Sequence, residues 1–335
     1  MFTRLFITVL IFFVTQCPAQ QKRYFFTQPK MGAPFTIVMY STDSVRAALL
    51  AKQSFNLVDS FVNIFSDYMD SSELSKLSAS AGENAIPVKV SPALWDILLL
   101  SKTAFEKSDG AFDITVGPLV KLWRRARKTK QFPAKETVLA ARNLTGFNKM
   151  KFDTANKTVM LTIPGMQLDL GGIAQGYIAQ KVIDFLGTQQ VNHALINVSG
   201  DIVMSHAPPG SKGWTVGINV PEATDDLLPK TLLMQNIAVT TSGDAYQFID
   251  YGGKRYSHIT DPRTGYGITS QRNVTVIAKD CTTADWLATA CSILSIKKAK
   301  KLASQLGAEV LIGEMKRGRF VFKATKGFSL YWKQR

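Results

Sequence analysis

Cysteine and histidine are both scarce in this chain, with three of each among 335 residues. So few cysteines argue against a disulfide-stapled scaffold. If Cys281 and Cys291 lie on one helix, a rise of about 1.5 Å per residue puts them about 15 Å apart, beyond disulfide reach. We therefore expect two buried, unpaired thiols.

Long apolar runs and nucleotide-binding glycine motifs are also missing. The longest apolar run extends from Leu5 to Val14, whereas a membrane-spanning helix needs about 20 residues. No Gly-x-Gly-x-x-Gly follows a predicted strand, so a dinucleotide would not be held as in a Rossmann fold.

The first residues have the order of a secretory signal. A basic start at Arg4 precedes the apolar run, and small residues follow at Cys17-Pro18-Ala19. We expect cleavage after Ala19, which leaves residues 20–335 as one exported domain. A lipid anchor on Cys17, which would make the protein a lipoprotein at the inner membrane, is the alternative; the bulky Gln16 argues against it.

Basic residues outnumber acidic ones, 40 to 25, for a net charge of +15. Six of the ten residues from Lys121 to Lys130 are basic, a density that could contact nucleic acid, acidic lipid or an acidic protein. Zinc, helix-turn-helix and aromatic-strand signatures of nucleic-acid binding are missing. We predict a solvated loop here and no nucleic-acid partner.

The order of predicted elements favours an α+β fold, with mixed or antiparallel sheets flanked by helices, because strands and helices do not alternate regularly. Apolar spacing and capping residues predict helices at 45–65, 92–107, 173–186, 284–294 and 297–306. Runs rich in β-branched and aromatic residues predict strands. They lie at 35–40, 151–152, 158–163, 167–170, 214–220, 235–240, 272–278, 309–312, 319–323 and 328–332, with a hairpin over 194–204 and a turn and strand within 108–119.

The segment from Leu168 to Gly176 (LDLGGIAQG) places two glycines between a predicted strand and a helix. Glycine lets backbone amides approach a ligand closely, and free amides at a helix start favour phosphate. A tight turn capped by Asp169 explains the same pattern equally well.

A second segment, TTADWLAT, places Asp285 and Thr289 four residues apart, on one face of a predicted helix. A carboxylate and a hydroxyl are oxygen ligands of the kind that magnesium uses. Alternatively, Asp285 is a first-turn acid that opposes the helix dipole, with Thr282 as the cap.

Two further segments carry candidate residues. In YSHITDPRTG, His258 could accept a proton from a hydroxyl or bind metal, although a lone histidine is often structural. In SDGAFDITVGPL, Phe112 could lie against a flat ring, although phenylalanine is usually a core residue.

Together and in this order, the segments resemble the ApbE family of FAD:protein FMN transferases. The resemblance spans nearly the whole mature chain and is carried by GAFDITVGPLVKLW, LDLGGIAQG, NVSGD, TSG, HITDPRTG and TADWLATA. It implies export to the periplasm and an α+β fold that holds FAD, the substrate, in a cleft beside a divalent ion, Mg²⁺.

By motif position, the resemblance also implies roles for individual residues. Asp285, Thr289 and the main-chain oxygen of Gly172 would hold magnesium, and His258 would lie at the reacting phosphate as a catalytic base together with the metal-bound Asp285. The residues that would border FAD are Met31, Tyr68, Ala111, Phe112, Asp113, Asp169, Gln175 and His258.

The implied reaction transfers FMN from FAD to a serine or threonine hydroxyl of another protein and releases AMP. Acceptors in the family are redox-pump subunits and other exported flavoproteins. Two alternatives remain: an FAD pyrophosphatase that yields free FMN and AMP, and a non-catalytic periplasmic flavin-binding protein.

The chain departs from the family pattern at three positions. Ala33 stands where threonine is common, Ser199 where glycine is usual, and Gln175 where a lysine is usual. Since Gln175 supplies no cation, we expect the site to depend more on magnesium or on Arg263.

Overall fold

The computed structural model describes residues 20–219, 227–243, 247–316 and 319–333. The predicted signal segment 1–19, with Cys17, lies outside the described residues, as does Val220 at the end of one predicted strand. No helix in the described part of the chain combines the length and apolarity that crossing a bilayer requires.

A large antiparallel sheet forms the centre of the fold, with strand order β1-β2-β6-β7-β10-β13-β14-β15. A three-stranded sheet (β3-β5-β4) and two hairpins (β8-β9 and β11-β12) complete the strands. The strand bounds are β1 Lys22–Lys30, β2 Ala33–Ser41, β3 Val88–Lys89, β4 Met150–Asp153, β5 Thr158–Leu161, β6 Ala194–Val198, β7 Asp201–Met204, β8 Trp214–Asn219, β9 Leu227–Met234, β10 Ile237–Gly243, β11 Phe248–Tyr251, β12 Lys254–Ser257, β13 Arg272–Ala278, β14 Glu309–Lys316 and β15 Arg319–Ala324.

Helices cover one face of the large sheet and bury the main hydrophobic core against it. Their bounds are α1 Ser44–Phe65, α2 Glu73–Ala79, α3 Pro92–Lys107, α4 Gly117–Thr129, α5 Lys135–Asn143, α6 Ala174–Thr188, α7 Cys281–Ile293 and α8 Ile296–Gln305. The other face packs against Trp214 and Leu232 of the β8-β9 hairpin and against Phe328. These layers confirm the predicted α+β class with antiparallel sheets and flanking helices.

Most predicted elements are present within a few residues of the expected bounds. Helix α3 begins at Pro92, and the Ser91 side chain accepts a hydrogen bond from the Leu94 N–H, as the capping pattern predicted. The β6-β7 hairpin turns at Ser199-Gly200. Cys281 and Cys291 are buried and unpaired, as expected.

The prediction of a solvated loop at 121–130 was wrong, because residues 117–129 form helix α4. Its buried residues Leu119, Trp123 and Ala126 recur at helical spacing, and Pro118 suits a first helical turn. The basic side chains are therefore distributed around a helix that is packed on one side.

Three predicted strands are also wrong. Residues 111–116 form turns and bends instead of a strand. The predicted strand at 167–170 is also absent, and only Gln167 forms a β-bridge, a parallel one with Val116. The C-terminal segment from Lys326 to Tyr331 is a 3₁₀ helix in which Phe328 is fully buried. Apolar runs this short do not distinguish a strand from a buried turn.

Candidate active site

Helices α6 and α7 contact each other closely at Gly176. The Gly176 N–H, in the first turn of α6, donates to Asp285 Oδ2 at 2.9 Å. A Cβ atom at position 176 would lie 2.6 Å from the Cβ of Asp285 and would also overlap the Cys281 carbonyl oxygen. Only glycine fits at this position, so Gly176 is what allows α6 to approach the Asp285 side chain this closely.

Asp285 and Thr289 share one face of α7, as predicted, and Gly172 lies against them. A Cβ atom at Gly172 would be 3.0 Å from Thr289 Oγ1 and 3.2 Å from the Phe112 ring. Asp285 Oδ1 and the Thr289 hydroxyl form no hydrogen bond with any residue that the structure describes. The carboxylate, the hydroxyl and the Gly172 backbone therefore come together with oxygen atoms available; we call them the oxygen cluster.

Burial strongly disfavours negative charge at the oxygen cluster. Desolvation, with the nearby Asp201 carboxylate, raises the pKa of Asp285 well above its ordinary value. Burial likewise raises the pKa of Asp201 to about 7. A bound cation would favour the ionised carboxylates, and oxygen donors are those that magnesium prefers. Within the described residues no three His, Cys, Asp or Glu side chains form a metal-binding group, so a metal here would rest on one carboxylate, a hydroxyl and a carbonyl.

The alternative reading of Asp285 as a first-turn acid was wrong. Helix α7 begins at Cys281, and the side chain of Asp280 caps it by accepting from the Thr283 N–H at 2.8 Å. Asp285 lies in the second turn, where the helix dipole has little effect on it.

Arg124 of α4 joins the segment before the double glycine to the segment after α1. Its Nη1 pairs with Asp67 Oδ2, and its Nη2 donates to Asp169 Oδ2 at 3.0 Å. Its Cζ lies 4.3 Å from the centre of the Tyr68 ring. The other Asp169 oxygen accepts from the Gly171 N–H at 2.8 Å. Asp169 therefore shapes the bend that leads to Gly172, and Arg124 holds Asp169 and Tyr68 together.

Tyr68 presents a largely exposed ring, with 76% of its surface accessible. An aromatic ring backed by a guanidinium and open on its other side suits stacking with a flat ligand. The position of Tyr68 beside FAD stays a prediction.

His258 lies directly after β12, in the HITDPRTG segment. Its Nδ1 is 3.2 Å from the Gln247 carbonyl oxygen, and because a carbonyl only accepts, Nδ1 carries the hydrogen in the neutral ring. Nε2 is then left with a lone pair. Burial and the positive charge of Arg127 lower the pKa of His258, which keeps the ring neutral at pH 7 and its Nε2 lone pair available to accept a proton.

The other predicted FAD-bordering residues have mixed surroundings. Ala111 and Phe112 are buried, and Phe112 packs 6.2 Å from Trp286. Asp113 accepts hydrogen bonds from the amide and hydroxyl of Thr115, and burial raises its pKa. Gln175, in the first turn of α6, lies beside the oxygen cluster in sequence.

Met31 lies in the β1-β2 turn with a left-handed φ of 54° and packs against the main core. The contacts of the described residues do not join it to the oxygen cluster or to Arg124. Arg263 was expected, as one of two possibilities beside magnesium, to compensate for Gln175; both Asp261 oxygens accept from its guanidinium at 2.7–2.8 Å.

Sequence reasoning missed Arg124, Arg127, Asp201 and Gly176. The helical recurrence of Leu119, Trp123 and Ala126 could have placed Arg124 on the packed side of a helix. No comparable sequence signal marks Asp201, because its closeness to Asp285 arises only when α7 packs on the sheet.

Comparison with known proteins places these features in context. The ApbE family model matches residues 31–312. An FAD:protein FMN transferase of Klebsiella pneumoniae is 33% identical over 276 residues, which cover 82% of this chain and 84% of the relative. An FAD:protein FMN transferase of Treponema pallidum is also 33% identical, over 76% of this chain and 73% of the relative.

Solved structures have the same fold. The flavin transferase ApbE of Vibrio cholerae superposes with a TM-score of 0.82 at 26% identity, covering 93% of this chain and 100% of that one. The ApbE protein of Thermotoga maritima gives a TM-score of 0.83 at 28% identity, with the same two coverages.

Proposed function

The chain belongs to the ApbE family and is an FAD:protein FMN transferase, and we propose that the transfer uses magnesium held by Asp285, Thr289 and the Gly172 carbonyl oxygen. The observation that carries the proposal is the oxygen cluster itself. Asp285 Oδ1 and the Thr289 hydroxyl lie four residues apart on one helix face, without hydrogen-bond partners among the described residues, and Gly172 lies against that face.

Magnesium, when bound, neutralises charge on the pyrophosphate and polarises the phosphorus that is attacked. The protein keeps the ligands in place. Gly176 holds one Asp285 oxygen through its N–H, and the other oxygen would be the one that holds the cation.

We assign the flavin half of FAD to the surface formed by Tyr68 and Asp169, with Arg124 behind them. The exposed Tyr68 ring supports this assignment. The segment Ala111–Asp113 forms the adjoining wall, because Phe112 contacts Gly172. Gln175, in the first turn of α6, is assigned to the pyrophosphate side, and Met31 to the periphery of the nucleotide.

His258 is the group that accepts the proton of the attacking hydroxyl. A serine or threonine hydroxyl of the acceptor attacks the phosphorus on the FMN side, the new phosphorus–oxygen bond forms, and the bond to AMP breaks. AMP leaves with the electron pair, and the hydroxyl proton passes to Nε2 of His258. The Gln247 carbonyl supports this role because it fixes the hydrogen on Nδ1.

We further propose that the chain acts after export to the periplasm. The basic, apolar and small-residue order of residues 1–19 supports a cleaved signal peptide. In the periplasm, the acceptor proteins would be exported reductases and subunits of membrane redox pumps. Binding to such subunits would bring the enzyme to the inner membrane.

The test is FMN transfer by an Asp285→Asn variant. The residues match in size, and the amide oxygen can still accept from Gly176, so the fold is kept while the ligand charge is lost. We expect no added FMN on an acceptor, measured by mass spectrometry after incubation with FAD and magnesium.

Asp280→Asn is the matched control. It makes the same chemical change on the same helix, and asparagine still caps a helix start, so full transfer is expected. An Asp285→Asn enzyme that modifies the acceptor at the wild-type rate would refute the metal assignment. Thr289→Val should instead raise the magnesium concentration needed for half-maximal transfer.

A further inference from the structure

Helix α4 carries three arginines whose surroundings differ. Arg124 is paired with Asp67 and Asp169. Arg125 is exposed on the opposite side. Arg127 is partly buried, yet no carboxylate of the described residues lies within 4 Å of its guanidinium. A partly buried guanidinium that has no carboxylate partner among these described residues can bind an anion from outside the chain, which would offset the cost of removing the charge from water.

Two contacts fix the position of α4 against the site. The Trp123 Nε1–H donates to the Gly265 carbonyl oxygen at 2.8 Å, and its ring stacks on Tyr256, with centroids 6.1 Å apart. These contacts hold α4 against the segment that carries His258. One residue later, Arg124 holds the helix against Asp67 and Asp169.

Arg127 follows Trp123 by four residues and Arg124 by three, so it lies one turn further along the same face. That face is directed to the Tyr68 ring on one side and to the His258 segment on the other. The charge of Arg127 is felt at both, since it lowers the pKa of His258 and opposes the burial-driven rise at Tyr68. An anion that reaches Arg127 therefore lies between the assigned flavin surface and the catalytic histidine.

We propose that Arg127 binds a phosphate oxygen of the FAD pyrophosphate. This inference rests on the proposed function, which assigns the flavin ring to Tyr68 and the reacting phosphorus to His258. The pyrophosphate is the anionic part of FAD that connects those two places. A guanidinium suits it because its planar set of N–H donors matches phosphate oxygens. Arg127 thus supplies the cation that neither Gln175 nor the Asp261-bound Arg263 provides.

The experiment compares ligands with and without phosphate. Isothermal titration calorimetry in magnesium buffer, without acceptor, measures the affinity of wild-type, Arg127→Gln, Arg127→Lys and Arg125→Gln proteins for FAD and for riboflavin. Arg125→Gln is the matched control, because it removes the same charge from the exposed side of the same helix. Thermal unfolding of each variant checks that the fold is retained.

We expect Arg127→Gln to bind FAD about 10- to 100-fold more weakly, the size of one charged hydrogen-bonding contact. Riboflavin affinity should change by less than about twofold, Arg127→Lys should recover part of the FAD affinity because it keeps the charge, and Arg125→Gln should match the wild type.

Three results would overturn the inference. The first is FAD affinity of Arg127→Gln within twofold of wild type, and the second is an equal loss for FAD and riboflavin, which would indicate a role in stacking or packing. The third is unchanged FAD affinity with a raised KM for the acceptor, which would assign Arg127 to the acceptor. A wild-type protein that binds no FAD would instead contradict the proposed function, and this contact would fail with it.

Discussion

The Asp285 carboxylate accepts a 2.9 Å hydrogen bond from the N–H of Gly176, a residue 109 positions earlier in the chain. The bond ties the second turn of α7 to the first turn of α6. One carboxylate oxygen is thereby fixed on the protein, and the other has no hydrogen-bond partner among the described residues. The geometry of the oxygen cluster consequently depends on how closely these two helices approach each other.

Gly176→Ala tests that dependence. The added methyl group would meet the Asp285 Cβ at 2.6 Å, so the helices must separate, and we expect the free energy of unfolding to fall by about 1–3 kcal/mol. Urea denaturation measures the change. Gly187→Ala on the same helix has nothing within 4 Å of the new Cβ and should stabilise the protein by about 0.5–1 kcal/mol. Equal effects of the two substitutions would contradict the packing argument.

Arg124→Gln should destabilise the protein by about 1–3 kcal/mol, because it leaves the Asp67 and Asp169 carboxylates without their charged partner. Both carboxylates are mostly buried, with 15% and 9% of the side-chain surface exposed. Urea denaturation at pH 7 measures the loss, with Arg125→Gln as the exposed control. The loss should shrink at low pH, where the two acids are protonated. A loss that is independent of pH would mean that Arg124 acts through packing alone.

Asp201 should make the metal-free protein less stable as pH rises. Its folded pKa of about 7 exceeds the value of about 3.9 in an unfolded chain, so the folded state holds the proton more tightly. The penalty is therefore absent below about pH 4, grows up to about pH 7 and then stays constant. In EDTA, the free energy of unfolding of Asp201→Asn should vary less with pH than that of wild type. The exposed Asp184→Asn should follow the wild-type curve, and identical slopes for all three proteins would disprove the role of Asp201.

The rate of FMN transfer should fall with decreasing pH only below about pH 6.5. The lowered pKa of His258 keeps its Nε2 lone pair available to that point, and protonation removes it. Single-turnover rates measured as a function of pH give this acid limb of the pH–rate profile. Arg127→Gln removes a nearby positive charge and should move the limb to higher pH, while Arg125→Gln should leave it in place. A limb that does not respond to Arg127 would show that His258 is not the titrating group.

The sequence predicted those parts of the fold that local patterns encode. Ser91 before Pro92 marked the start of α3, and the turn residues Ser199-Gly200 marked the β6-β7 hairpin. Ser199 adopts a left-handed φ of 51°, a conformation in which glycine is favoured, and this explains why glycine is the usual residue of the family there.

Other parts of the site depend on tertiary packing. Because six of ten residues in this segment are basic, the amphipathic pattern of α4 was not recognised. The segment was predicted as a loop, and Arg124 was missed. The pairing of Asp201 with Asp285 joins a strand start to a helix that lies far away in sequence. Spacing within one segment could place Asp285 next to Thr289, but it could not bring Gly172 or Gly176 to them.

The 109-residue separation of Gly176 and Asp285 also has a consequence for biosynthesis. A growing chain presents the double-glycine bend long before α7 has been made, and one half of the oxygen cluster exists alone during that interval. A partly synthesised chain therefore lacks Asp285 and Thr289, two of the three proposed metal ligands. Under the proposed mechanism, a nascent polypeptide that pauses before residue 281 could not cleave FAD, so activity is acquired only late in translation.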